Sequence, residues 1–222
     1  IPPPPKPTVT QHNTYKIPCH CGCMNKSEFP EHIKGYTQYG PNICALVNYL
    51  NVRHFMPYDR TVELFKDCFN LKMSKGTIAN MLRKTAKKAI PTYLFIKEQI
   101  KKADVVGSDE TIIFVNAIRK VVWCWQTDKF TYLKATESRK AIHIKEEFPD
   151  GFPNAVLVSD QYVAQLNTTA IAHQSCIPHI DRKLKYLLEI QKSEWLKSMR
   201  QLFYDAIALK NEKKVIKYRG AK

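Results

Sequence analysis

An α/β fold, a mixed sheet flanked by helices, is predicted for the second half of this chain, behind a small helical module and a short cysteine-bearing segment. Three observations carry that prediction. Apolar residues recur at three- and four-residue intervals before residue 104, and after it they gather into short strand-like runs. Two of those runs, Val105-Val106-Gly107-Ser108-Asp109 and Val156-Leu157-Val158-Ser159-Asp160, end alike in Ser-Asp. The order of elements around them is three strands, a helix, a buried strand and a helix.

Residues 1–14 open with Ile1-Pro2-Pro3-Pro4-Pro5-Lys6-Pro7-Thr8 and read as an extended polyproline-type arm. Residues 15–39 form the cysteine-bearing segment, where Tyr15 to Cys23 suits two strands and a tight turn. Residues 40–103 form the helical module. Pro41 fits a first helical turn, followed by Ile43, Leu46, Val47 and Leu50 on one face. Asp59 is a candidate cap for a second helix carrying Val62, Leu64, Phe65 and Phe69. After the connection Asn70–Met73, Ser74 caps a third helix to about Ile90, with Ile78, Met81 and Leu82 inward. Its outward positions are Lys75, Arg83, Lys84, Lys87 and Lys88. Residues 91–103 read as a separate linking helix.

From 104 to 222 the reading is a sheet domain. Val105–Asp109 is an apolar strand ending in an acid, and Thr111–Val115, Lys120–Thr127 and Phe130–Thr136 are strand-like. Ser138 opens a helix through Phe148, Ala155–Asp160 is a buried strand, residues 171–177 suit a fifth strand, and the chain is helical from Pro178 to about residue 214. That order belongs to the ribonuclease H-like fold, in which the first and fourth strands lie side by side.

Charge narrows the function classes. Lys and Arg number 35 against 20 Asp and Glu, a formal +15 spread along the chain, so a polyanion such as nucleic acid is the expected partner. A membrane surface is the rival reading, but no apolar run approaches the length of a bilayer span, which argues against membrane insertion. Seven cysteines make an odd count without a disulfide-framework spacing, and Cys44, Cys68, Cys124 and Cys176 sit in apolar stretches, so a reducing cytosol fits better. Two helices, a turn and a basic third helix fit either a DNA-reading helix-turn-helix or a plain three-helix bundle; the basic face favours DNA.

The two Ser-Asp tips carry the chemistry. On neighbouring strands Asp109 and Asp160 would converge, and two close carboxylates are relieved by hard divalent cations such as Mg²⁺. Such a site suits in-line displacement at phosphorus. Each Asp could instead simply cap the turn after its strand. Cys19, Cys21 and Cys23, with His20, suggest zinc, but one tight cluster supplies only half of a usual site. His173, Cys176 and His179 could also pass for ligands, although a helix start with a buried Cys and a hydrogen-bonded His is the plainer reading. Trp123 and Trp125 alternate with apolar neighbours as core residues, and Glu110 is expected on the sheet face opposite Asp109 or in the next turn.

Several of these segments together resemble one family. Tyr39-Gly40-Pro41-Asn42, Leu46-Val47-Asn48-Tyr49-Leu50, Met56-Pro57-Tyr58-Asp59-Arg60 and Met73-Ser74-Lys75-Gly76-Thr77-Ile78 are similar to the central region of insertion sequence 66 family transposases. Ser108-Asp109-Glu110-Thr111 resembles that family's first catalytic acid and Val158-Ser159-Asp160 its second. Cys176-Ile177-Pro178-His179 with Arg182 resembles a further signature, and the likeness spans roughly residues 15–209 in order. It implies a DDE-type transposase with a ribonuclease H-like core, which cuts and joins element ends using Mg²⁺ or Mn²⁺ held partly by Asp109 and Asp160. The expected partners are double-stranded DNA (terminal inverted repeats and target), accessory proteins of the same element and further copies of the chain, in the bacterial cytosol. The resemblance also implies a zinc-ribbon-like segment around Cys19 and Cys21, whose upstream cysteine pair is absent from the sequence. The family's third acid is a Glu in an Asn-Asn-x-Ala-Glu-Arg-like motif beyond a helical insertion. That motif is not in the sequence, so Glu189, Glu194 and Glu212 are left unassigned and the chain is expected to stop inside the insertion. The alternative expectation is a DNA-binding remnant that does not cut.

Overall fold

The computed structural model describes residues 6–36 and 38–219, with side chains described as far as residue 212. The first five residues of the expected proline-rich arm lie outside the described residues, and residues 6–15 form neither helix nor strand. The chain divides into two compact units, residues 1–90 and 91–222.

In the first unit, β1 (Lys16–Pro18) and β2 (Met24–Lys26) pair antiparallel, so the expected two-stranded cysteine segment is present. Gly22, at φ +85°, supplies the left-handed residue of its turn. Three helices follow. α1 (Pro41–Asn48) starts with proline in its first turn and runs into a π-helical turn, Tyr49–Arg53. α2 (Tyr58–Phe69) is preceded by Pro57, so Asp59 sits inside the first turn and not at the cap; a carboxylate there still favours the positive end of the helix. Asn70, at φ 49°, ends α2 in the left-handed conformation that Asn tolerates better than most residues.

α3 (Lys75–Lys101) begins as expected, with the Ser74 hydroxyl accepting the Thr77 N–H at 3.1 Å. Val47, Phe65, Met73, Ile78 and Met81 form the core of this unit, with Ile43, Leu46, Leu50, Val62, Phe69 and Leu82 against it. The expected break near residue 90 does not occur, and α3 runs on through Pro91. One proline removes one N–H from the ladder, and the bonds on either side keep the helix together. Beyond Pro91, Ile96 and Ile100 pack into the core of the second unit.

The second unit is built on a five-stranded sheet. Its strands are β3 (Val105–Val115), β4 (Ile118–Gln126), β5 (Thr131–Thr136), β6 (Phe152–Ser159) and β7 (Ala170–Ser175), in the spatial order β5-β4-β3-β6-β7. β3, β4 and β5 are antiparallel neighbours, and β6 and β7 run parallel to β3. α4 (Ala141–Glu147) and α5 (Val163–Leu166) flank the sheet, and α6 (Ile177–Ile190) and α7 (Glu194–Arg219) follow it. This mixed α/β architecture, with the first and fourth strands adjacent, is ribonuclease H-like. The helix expected from Ser138 starts three residues later, because Lys140 is still extended at φ −68° and ψ 143°.

Alternation along the strands explains the core. Val121, Trp123 and Trp125 are buried on one face of β4, and the two indoles stack with ring centroids 5.9 Å apart. The same face carries Val106 and Ser108 of β3, Tyr132 of β5 and Leu157 of β6. At the turn before β6, Gly151 has φ +64°, and a Cβ there would lie 2.5 Å from the Thr169 carbonyl oxygen. Only glycine fits.

Candidate functional site

Two strands, β6 and β7, end at one rim of the sheet, beside the point where β3 stops pairing with β6. β3 and β6 pair over Val105↔Val156, Val106↔Leu157 and Gly107↔Val158, after which β6 stops at Ser159. Continuing that register for two residues brings Asp109 level with Asp160. β7 pairs with β6 as far as Ser159↔Ser175, and the Cys176 N–H then donates to the Ser159 carbonyl at 2.7 Å. One expectation needs correcting. Asp109 is not at a strand end: β3 continues through it to Val115, because β4 pairs with β3 along its whole outer half, from Gly107↔Gln126 to Val115↔Ile118. Asp109 is at the rim only with respect to β6.

The two acids differ in setting. Asp109 is open to solvent, with its side chain 56% exposed. It lines an open groove of about 280 Å³ together with Gly107, Thr111, Val122, Cys124 and Leu133, all from β3, β4 and β5. Cys124 lies directly across from Asp109 in the β3–β4 register. Burial, reinforced by the Asp109 carboxylate, pushes the Cys124 thiol above its usual range. Asp160 is half-buried, and its Oδ1 accepts the Tyr162 N–H at 3.0 Å, an Asx-type turn. Between them Gln161 holds φ 70°, a left-handed value that a non-glycine residue adopts only when its surroundings impose it.

Beneath the rim lies a polar cluster that the sequence reading did not assemble. Glu110 follows Asp109 in β3 and takes the opposite sheet face, the first of its two expected placements; its side chain is only 3% exposed. Arg139 forms an ion pair with Glu110 Oε1, and the Gln165 amide donates to Oε2 at 3.0 Å and to the Ser108 hydroxyl at 3.2 Å. The Arg139 guanidinium lies over the Tyr162 ring, 4.2 Å from its centroid, and the Tyr162 hydroxyl donates to the Arg139 carbonyl at 3.1 Å. Burial raises the Glu110 carboxyl above the ordinary range, the Arg139 charge works against that rise, and Asp160 and Asp109 add to it.

His179, in the first turn of α6, brings its Nε2 to 4.0 Å from Asp109 Oδ2, while its Nδ1 is buried with no hydrogen-bond partner. The expected hydrogen-bonded histidine is therefore not found, and the ring faces the candidate acid. Cys176 is the residue before α6 and is half-buried, and His173 is exposed on β7. Among the described residues, no group of three or more His, Cys, Asp or Glu side chains is gathered as a metal cluster. Glu189 and Glu194 lie exposed on α6 and α7, as does Glu212.

Of the other expected residues, Arg83, Lys84, Lys87 and Lys88 are all exposed on α3. Lys75 is exposed too but bridges Asp59 at 2.9 Å, a surface pair of small worth. Cys19, Cys21 and Cys23 lie at the β1–β2 turn as free thiols. The Cys23 backbone and the neighbouring Cys19 and Cys23 thiols lower the Cys21 thiol below its usual range by hydrogen bonding. Cys68 is exposed, against the apolar setting expected for it, because it falls on the outer face of α2. No described helix is long and apolar enough to cross a membrane.

A family model described as Transposase IS66 family matches residues 36–221. No curated protein matches the chain.

Proposed function

Because the chain belongs to the IS66 family of transposases, we propose that it is a DDE-type enzyme whose Asp109 and Asp160 hold divalent metal for DNA strand cleavage and transfer at element ends. One observation supports this reading: β3 and β6 are adjacent and parallel as far as Gly107↔Val158, the pair that immediately precedes the two Ser-Asp segments. The donor set fits the metal. Two carboxylates, with the His179 imidazole beside Asp109, suit a hard cation such as Mg²⁺ or Mn²⁺, which keeps further positions for water and phosphate oxygens. Such a cation, when bound, lowers the pKa of an attacking water or hydroxyl and neutralises charge building on the phosphate.

The chain's own residues then have separate tasks. Asp109, solvent-exposed on an open groove, is reachable by a DNA backbone, whereas Asp160 is held by its own turn. Arg83, Lys84, Lys87 and Lys88 on α3 hold phosphates by charge, and Lys75 joins them when its surface pair with Asp59 opens. On this reading residues 40–103 are the DNA-binding module and residues 104–222 the catalytic core, acting in the bacterial cytosol on terminal repeats and target DNA. The Cys19 and Cys21 thiols are candidate zinc ligands, with the rest of the set to come from outside the hairpin.

Replacing Asp109 by Asn in the full chain is the test. Mg²⁺-dependent cleavage of a duplex carrying the element end should fall by a factor of about 10³ or more while end binding persists. Cleavage that survives the substitution would sink the assignment. No cleavage by the unmutated chain, with salt-sensitive end binding intact, favours the second reading, a DNA-binding protein that does not cut; its support is the exposed basic face of α3.

A further inference from the structure

Resting on the reading of Asp109 and Asp160 as a metal-holding pair, we propose that Glu110, Arg139 and Tyr162 form a positioning latch that ties the Asp160 turn to strand β3 and so sets the separation of the two carboxylates. Every link in it is a direct contact. Glu110 shares its peptide bond with Asp109 and buries its carboxylate on the other face of the sheet. Arg139, just before α4, forms an ion pair with that carboxylate and covers the Tyr162 ring at 4.2 Å. Tyr162 returns a hydroxyl bond of 3.1 Å to the Arg139 carbonyl and a backbone N–H of 3.0 Å to Asp160 Oδ1. Gln165 closes the base, bridging Glu110 and Ser108 from α5.

Two physical arguments make this more than core packing. The Glu110 carboxylate is buried at 3% exposure while the Arg139 side chain stays 37% exposed, so their attraction only partly offsets the cost of burying the carboxylate and the pair is a weak source of net stability. The Asp160 turn is also strained at Gln161, φ 70°, and would relax unless held on both sides. The Gln161 side chain bonds the Ser175 hydroxyl on β7, and the Tyr162 side of the turn is held by Arg139. Groups that orient metal-binding carboxylates without touching the metal act by fixing where the oxygen atoms stand. Arg suits the role because its planar fork pairs with a carboxylate and stacks on a ring at once.

The test uses Mn²⁺ as probe, with binding to the full-length chain read by the electron paramagnetic resonance signal of the free ion. Glu110→Gln removes the charge at nearly constant shape, and Tyr162→Leu removes the stack and the hydroxyl bond to the Arg139 carbonyl while keeping an apolar side chain and the backbone N–H. Each should raise the Mn²⁺ Kd by roughly tenfold or more, whereas Glu147→Gln, in the same core but outside the latch, should change it by less than about twofold. Equal weakening by Glu147→Gln, or unchanged affinity in both latch variants, overturns the latch. Should Glu110→Gln fail to fold, Tyr162→Leu decides alone. Asp109→Asn separates the two claims: Mn²⁺ binding unchanged by that substitution, or absent from the unmutated chain, overturns the metal reading itself, while binding lost there and kept in the latch variants overturns only the latch.

Discussion

Two glutamates are buried on the same side of the sheet, and they are treated differently. Glu147, at the end of α4, receives Lys97 at 2.8 Å, Lys134 at 2.7 Å and the Tyr132 hydroxyl at 2.6 Å. Burial alone would raise its carboxyl, but these three donors hold it down to about 2. Glu110 has one arginine and one amide, and burial wins, so its carboxyl lies above the ordinary value. The difference teaches where the fold needs a charge and where it tolerates one. Around Glu147 the charge closes a junction between α3, α4 and β5. Around Glu110 the charge is under-compensated, next to the two acids proposed to hold metal. A fold that needed the Glu110–Arg139 pair only for stability would do as well with two apolar residues of similar volume in their places.

The largest expected effect tests the first half of that contrast. A drop in carboxyl pKa from 4.5 to about 2 corresponds to about 3 kcal/mol of preference for the ionised form in the folded chain. Glu147→Gln removes it and strands the Lys97 ammonium, which sits 5.8 Å and 5.7 Å from the Tyr132 and Phe148 ring centroids with only 18% of its side chain exposed. Thermal unfolding should drop by roughly 6–12 °C. Glu110→Gln should cost clearly less, because it also lifts a desolvation penalty. Equal losses in the two variants would break the comparison.

Acidification gives the second, with opposite signs at the two sites. The pKa of Glu147 is depressed in the folded chain, so its contribution is full above 4.5 and is lost as pH falls from there toward 2. The pKa of Glu110 is raised, so the folded chain holds that proton more tightly than the unfolded one, and stability falls as pH rises through the region just above 4.5. Urea midpoints measured down the acid limb should therefore decline less steeply in Glu147→Gln than in the unmutated chain. In Glu110→Gln the decline just above pH 4.5 should be steeper. A limb unchanged by both substitutions would mean that neither carboxylate titrates differently on folding.

Neither glutamate could be sorted this way from the sequence, and the reason is physical. The change of period near residue 104 and the apolar runs of β4 and β6 follow from local alternation, and these are legible because each depends on residues close in the chain. The Ser74 cap and the Trp123–Trp125 core face were legible for the same reason. Arg139 meeting Glu110, or Lys97 meeting Glu147, depends on elements 29 and 50 positions apart, and nothing in the residues themselves marks the pairing. The Cys-x-x-His segment marks His179 in the sequence, yet its approach to Asp109 arises only because α6 leaves β7 at the same rim. The continuation of β3 through Asp109 is not legible in the sequence because two polar residues, Asp109 and Glu110, interrupt an apolar pattern that antiparallel pairing with β4 nevertheless carries through.

The smallest effect sharpens the comparison by moving away from both carboxylates. β3 and β4 are joined by Asn116 and Ala117 alone, at φ 50° and 61°, a two-residue turn with both centres left-handed. Asn tolerates that conformation, but Ala carries a strain of about 1–2 kcal/mol there. Glycine would relieve the strain at the expense of about 0.4–1 kcal/mol of extra freedom in the unfolded chain. Ala117→Gly should therefore stabilise by about 0.5–1 kcal/mol, a gain of a few degrees in melting temperature, since both terms act at the hairpin tip alone. Its acid limb should run parallel to that of the unmutated chain at every pH, because no titrating group has changed its surroundings. A parallel shift would establish that limb slopes report Glu147 and Glu110 and not overall stability. A slope that changed along with the midpoint would remove the basis for reading the two glutamates apart.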